Sequence, residues 1–103
     1  MKNSVKKKKI ALLGSTGSIG TQALEVIRKN ESKFEVEVLT AYSNHELLAQ
    51  QALEFKPNTV VIVDDSKYEE LNNKLWSEGI KVYAGEEALE QVVQMNDVDL
   101  VLT

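Results

Sequence analysis

Four consecutive apolar residues, Ile10, Ala11, Leu12 and Leu13, run directly into three regularly spaced glycines, Gly14, Gly17 and Gly20. An amphipathic stretch follows without a gap. The order is strand, tight turn, helix, and a chain carrying it brings a helix N-terminus against the end of a buried strand. A short, wholly apolar strand suits a parallel sheet covered on both faces, and such a sheet needs crossover helices.

The rest of the chain supplies them. Ile19, Ala23, Val26 and Ile27 recur at helical spacing with Gln22, Glu25 and Arg28 opposite, and the polar run 30–33 ends that helix. Phe34 to Thr40 alternates and is valine-rich, a second strand. Asn44 is placed to cap a helix over 45–55, which Pro57 stops while biasing Lys56 toward an extended backbone. Thr59 to Val63 is the third strand. Ser66 heads a helix whose Tyr68, Leu71 and Leu75 share a face, with Gly79 at its C-terminal turn. Ile80 to Tyr83 is a fourth strand. Ala88, Leu89, Val92 and Val93 stripe a further helix after Gly85, and Asp97 to Leu102 returns to strand. Strands alternating with helices of this length predict an α/β fold with a mostly parallel sheet and right-handed crossovers. Residues 1–9, with Lys6 to Lys9, form a basic arm that reads as a solvated run, and 10–103 form one domain. A parallel strand normally leads into another loop and helix, so the pattern reads as cut off after its fifth strand.

Composition narrows the chemistry. A net charge of −4 disfavours nucleic acid and anionic membranes as partners, and the absence of cysteine removes disulfides and thiolate metal sites. His45 is the single histidine, too few for a histidine metal site or triad. No apolar run approaches the ~20 residues of a membrane span, and no signal-peptide core follows the basic arm, which predicts a cytoplasmic chain.

The glycine turn differs from the G-x-G-x-x-G fingerprint by one extra residue in its first interval, and no Gly-Lys-Ser/Thr makes it a Walker loop. The physical roles carry over. Gly14 supplies a backbone angle closed to other residues, Gly17 lets the backbone approach a pyrophosphate, and Gly20 lets the helix pack closely on the strand. Ser15, Thr16 and Ser18 add hydroxyl donors suited to phosphate oxygens. A tight turn without a ligand is the plain alternative. An NAD site carries an acidic residue about 20 positions beyond its glycines. Here the second strand ends in Leu39, Thr40, Ala41, Tyr42, Ser43 and Asn44, with no carboxylate to repel a 2′-phosphate, which favours NADP. Tyr42 reads equally as an adenine-stacking ring or a half-exposed loop aromatic. His45 could reach the 2′-phosphate but suits a surface helix start better. Asp64 with Asp65, and Asp97 with Asp99, are the carboxylate pairs to consider for a metal. The first pair, after its strand, also resembles the acidic cluster of a receiver domain, but helix capping by Asp65 or Ser66 is the simpler account.

Leu13 to Ile27 (LGSTGSIGTQALEVI) resembles the N-terminal signature of 1-deoxy-D-xylulose 5-phosphate reductoisomerases. The resemblance continues through Ala52 to Pro57, Val60 to Val63, Gly85 to Leu89 and Val98 to Val101. It implies a Rossmann-like three-layer domain that binds NADPH. It further implies an enzyme that isomerises and reduces 1-deoxy-D-xylulose 5-phosphate to 2-C-methyl-D-erythritol 4-phosphate in non-mevalonate isoprenoid synthesis, as a homodimer with Mg or Mn. Family positions touching NADPH fall on Thr16, Gly17, Ser18, Ile19, Tyr42, Ser43 and Asn44. The family's commoner Ala-Gly-Lys/Arg-Asn is here Ala41, Tyr42, Ser43 and Asn44, so the basic partner of the 2′-phosphate is absent. The family's metal ligands, catalytic lysine region and substrate-phosphate site come later than residue 103, so no catalytic or metal residue is assigned here. On this basis the chain binds cofactor without turnover. A stand-alone nucleotide-binding module, or another NADP oxidoreductase such as an aspartate-semialdehyde dehydrogenase type, are the competing readings.

Overall fold

The computed structural model describes residues 6–95 and 97–103; residues 1–5 of the expected basic arm and Asn96 lie outside the described residues. The elements are β1 (Lys8–Leu12), α1 (Ser18–Lys29), β2 (Phe34–Ala41), α2 (His45–Phe55), β3 (Thr59–Ile62), α3 (Tyr68–Leu75), β4 (Lys81–Ala84), α4 (Glu86–Val92) and β5 (Leu100–Leu102). Short 3-10 turns, Asp65–Lys67 and Trp76–Glu78, flank α3. All neighbouring strands pair in parallel, in the order β4-β3-β2-β1-β5.

The sheet is the middle of three layers. Leu24 and Ile27 of α1, Leu48, Ala49 and Ala52 of α2, and Leu71 and Leu75 of α3 cover one face, against Ile10, Leu12, Leu39, Val60 and Ile62. On the other face Val92 of α4, with Ala88 and Leu89, packs over Ala11, Val38 and Val61. Every residue of β3 is buried, as a strand covered on both sides requires. This is the α/β, Rossmann-like architecture anticipated from the alternation of elements.

Several details differ from expectation. The buried face of α1 carries Gly20, Leu24 and Ile27, whereas Ile19 and Val26 are 74% and 58% exposed. Gly20 dictates that rotation, because a Cβ at this position would lie 2.2 Å from the Gly14 carbonyl oxygen and 2.7 Å from the Ser15 Cα. Lys56 is left-handed (φ 53°, ψ 53°) rather than extended, because the helix closes with its N–H donating to the Ala52 carbonyl at 2.9 Å. β1 begins at Lys8, so Lys8 and Lys9 belong to the sheet. Residues 97–99 are not strand; instead the Asp99 carboxylate accepts from the Lys9 N–H at 2.8 Å and the Asp99 N–H donates to the Lys9 carbonyl. Between β1 and β2 the register slips by one residue at Glu37. Burial, reinforced by Asp97 and Glu35 and opposed by Lys9, raises the Glu37 pKa above the ordinary carboxylate value.

Replacing Gly20 by Ala forces backbone apart and should cost about 2 kcal/mol or more in urea unfolding. Glu37 favours its proton in the folded state, so its contribution is full below the unfolded value of 4.5 and is lost as pH rises through the folded value. Glu37→Gln should therefore be more stable than the parent at neutral pH, by less than about 1 kcal/mol for a partly exposed group. The gap should close under acid conditions in parallel denaturation curves.

Candidate functional site

β1 lies between β2, which follows it in sequence, and β5, so successive strands are laid down on one side of β1 as far as β4 and then on its other side at β5. In open parallel sheets ligands bind outside the C-terminal strand ends at such a switch point. The glycine turn occupies it. Leu13 still extends the ladder, its N–H donating to the Leu102 carbonyl at 2.8 Å, and the backbone then turns at Gly14 with φ 71°.

Two anchors hold the turn. Thr40, buried at the end of β2, accepts the Gly14 N–H on Oγ1 at 3.0 Å and the Ser15 N–H on its carbonyl at 2.8 Å. Gln51 of α2 accepts the Ser15 hydroxyl on Oε1 at 2.7 Å and donates from Nε2 to the Ser15 carbonyl at 2.9 Å. Ser15 is fully buried by these contacts, so its hydroxyl is a fastening within the protein and not a phosphate donor, contrary to the expectation for it. Neither Thr40 nor Gln51 stood out in the sequence. The available signals were a hydroxyl in a valine-rich strand and an amide between Leu48, Ala49 and Ala52 on a helix face that is otherwise apolar.

Beyond the anchors the turn opens outward. Thr16 is half-buried, and Gly17, Ser18 and Ile19 are exposed. Gly17 is the N-cap of α1 at φ −79° and ψ 174°, and no side chain caps the helix. The first helical N–H groups therefore face the mouth of the turn with the positive end of the helix dipole behind them. The first turn of α1 contains no acidic residue, whereas α2 has Glu46, α3 has Glu69 and Glu70, and α4 has Glu86 and Glu87. Among these helices α1 alone leaves its N-terminal charge uncompensated, the arrangement that attracts an anion.

The loop after β2 lies beside it. Tyr42 is 69% exposed, and Ser43 and Asn44 are exposed. The Tyr42 carbonyl accepts the Asp64 N–H at 2.7 Å, which ties this loop to the one after β3. Asn44 caps α2 as expected, its Oδ1 accepting the Leu47 N–H at 3.2 Å, which leaves only its amide N–H groups for a ligand. His45 Nε2 is bonded to Glu70 at 3.1 Å and the ring is mostly covered, so it is neither an open surface histidine nor directed to the loop.

One aspartate of each pair is engaged within the protein. Asp64, rather than Asp65 or Ser66, caps the turn before α3; its Oδ1 accepts the Ser66 hydroxyl at 2.7 Å and the Ser66 N–H at 3.1 Å, bonds that hold its carboxyl below the usual range. Asp99 is occupied with Lys9. Among the described residues no group of three or more His, Cys, Asp or Glu is placed to hold a metal ion, and no helix is long and apolar enough to cross a membrane. What the site presents is a set of helix N–H groups without a side-chain cap.

Residues 10–103 match the sequence profile of 1-deoxy-D-xylulose 5-phosphate reductoisomerase. The chain is 50% identical over 101 residues to that enzyme from Bacteroides fragilis, an alignment covering 98% of this chain and 26% of the relative. It is 52% identical over 98 residues to that of Bacteroides thetaiotaomicron, covering 95% of this chain and 25% of the relative. Among solved structures, the reductoisomerase from Zymomonas mobilis in complex with NADPH superposes with a TM-score of 0.88 at 32% identity, over 93% of this chain and 25% of that one. A DOX-P reductoisomerase in complex with NADPH, fosmidomycin and magnesium gives 0.85 at 30% identity, over 91% of this chain and 23% of that one. The chain thus spans about a quarter of the length of these relatives and matches their N-terminal portion. It belongs to the 1-deoxy-D-xylulose 5-phosphate reductoisomerase family.

Proposed function

We propose that this chain is the NADPH-binding part of a 1-deoxy-D-xylulose 5-phosphate reductoisomerase. The N–H groups of Thr16, Ser18 and Ile19 receive the pyrophosphate, Gly17 lets it approach closely while its own N–H stays on the Gly14 carbonyl at 3.2 Å, and Tyr42, Ser43 and Asn44 receive the adenosine end with its 2′-phosphate. Gly17 carries this reading. Gly14 is required by its positive φ and Gly20 by the backbone it touches. At Gly17 the angles suit any residue, and an added Cβ would meet only the Gly14 carbonyl oxygen at an ordinary 3.6 Å. Among the described residues nothing needs a glycine there, whereas a pyrophosphate drawn onto the helix N-terminus does.

The whole enzyme uses NADPH to reduce the isomerised sugar phosphate to 2-C-methyl-D-erythritol 4-phosphate, as a cytoplasmic homodimer with a divalent metal. This chain contributes cofactor binding. The groups that hold metal and sugar phosphate lie in the remainder of the enzyme, so the chain alone binds without turnover. Discrimination for the 2′-phosphate rests on the uncharged donors Tyr42, Ser43 and Asn44 and on the lack of a repelling carboxylate after β2.

Titrating the isotope-labelled chain should move the amide resonances of residues 16–19 and 42–44 with NADPH, and those of 42–44 much less with NADH. No response at 16–19 to either nucleotide would contradict the reading. Gly17→Ala should change stability by no more than about 1 kcal/mol yet weaken NADPH binding by roughly tenfold or more, as read by denaturation and titration of one preparation.

A further inference from the structure

We propose that Gln51 is a positioning residue for the phosphate-binding turn: its amide, bonded to both polar groups of Ser15, orients the Ser15–Thr16 peptide toward the nucleotide. The inference rests on the nucleotide-binding reading above and adds a residue that itself touches no ligand. The C=O and N–H of a trans peptide point in opposite directions. Drawing the Ser15 carbonyl onto Gln51 Nε2 at 2.9 Å therefore aims the Thr16 N–H away from α2, into the open mouth of the turn. The preceding peptide is set in the same way. Thr40 takes the Ser15 N–H, which directs the Gly14 carbonyl inward, where it accepts the Gly17 N–H at 3.2 Å.

The amide matches what Ser15 presents. In this arrangement the Ser15 carbonyl accepts and its hydroxyl donates, and the Gln51 amide carries the complementary donor and acceptor on one neutral group. Gln51 is only 7% exposed on the buried face of α2, where a polar group without partners would be costly. It makes both bonds, and none of the described buried side-chain polar atoms lacks a partner. The same helix begins at Asn44, so α2 carries one end of the site at its cap and fastens the other end from its middle. Gln51 thereby fixes the distance between the pyrophosphate and adenosine ends.

The test compares the parent chain with Gln51→Met, Ser15→Ala and the double variant, using NADPH and adenosine 2′-monophosphate as probes. The parent should bind both. Gln51→Met, which loses both bonds, should bind NADPH about tenfold more weakly, and Ser15→Ala, which keeps the bond to the Ser15 carbonyl, should lose about threefold. Each should hold adenosine 2′-monophosphate, which engages only 42–44, within about twofold of the parent. The double variant should be no worse than the poorer single, because both changes break one unit. NADPH affinities within twofold of the parent in both single variants would overturn the proposal. So would equal losses for the two probes, the mark of general loosening. If Gln51→Met does not fold, Gln51→Ala, which also removes both bonds, supplies the same comparison. A parent that binds neither probe overturns the nucleotide reading itself, and the positioning role with it.

Discussion

The contact between the first turn of α1 and the backbone leaving β1 is the constraint on which the rest depends. At Gly20 two stretches of main chain meet with no room for a methyl group. That closeness sets the rotation of α1, turns Leu24 and Ile27 into the core and leaves Ile19 at the mouth of the site. It also brings the uncapped N–H groups of the helix to the end of the buried strand. A helix held farther off would keep its dipole but lose its aim.

Around that contact the protein divides its polar groups into two sets. Thr40, Ser15 and Gln51 are buried, and their hydrogen bonds fasten the turn to β2 and α2 from within the protein. Thr16, Gly17, Ser18 and Ile19 line the outer side, with the Gly17 N–H held by the Gly14 carbonyl and no acidic residue in the first turn of the helix. Preorganised N–H groups need little rearrangement on binding, the condition under which they hold an anion best. The absence of a carboxylate after β2 extends the same logic to a second phosphate. The carboxylate of Asp64, on the loop tied to Tyr42, serves as a cap.

Much of this was legible in the sequence because it depends on local rules. The strands, the Asn44 cap, the left-handed Gly79 and the separate demands on Gly14 and Gly20 follow from backbone sterics and short-range hydrogen bonding. What failed depended on tertiary choice. Hydrophobicity ranked Ile19 and Val26 as core, but the smallest residue on the helix decided which side faces in. A proline implied an extended Lys56, but helix closure won. Residue type could not separate the hydroxyl of Ser15, which is buried, from that of Ser18, which is not, because that difference is made by Gln51, 36 positions away in the chain. The family resemblance came from ordered agreement along the whole chain and was carried by no single motif.

A crystal structure of the chain grown with NADPH would show whether the open N–H groups at the start of α1 receive a pyrophosphate. The expected result is pyrophosphate oxygens within hydrogen-bond distance of the Ser18 and Ile19 N–H groups, with Ser15 still bonded to Gln51. A nucleotide seated elsewhere, such as the groove of about 370 Å³ between α1 and α2 beside Arg28 and Glu54, would contradict it.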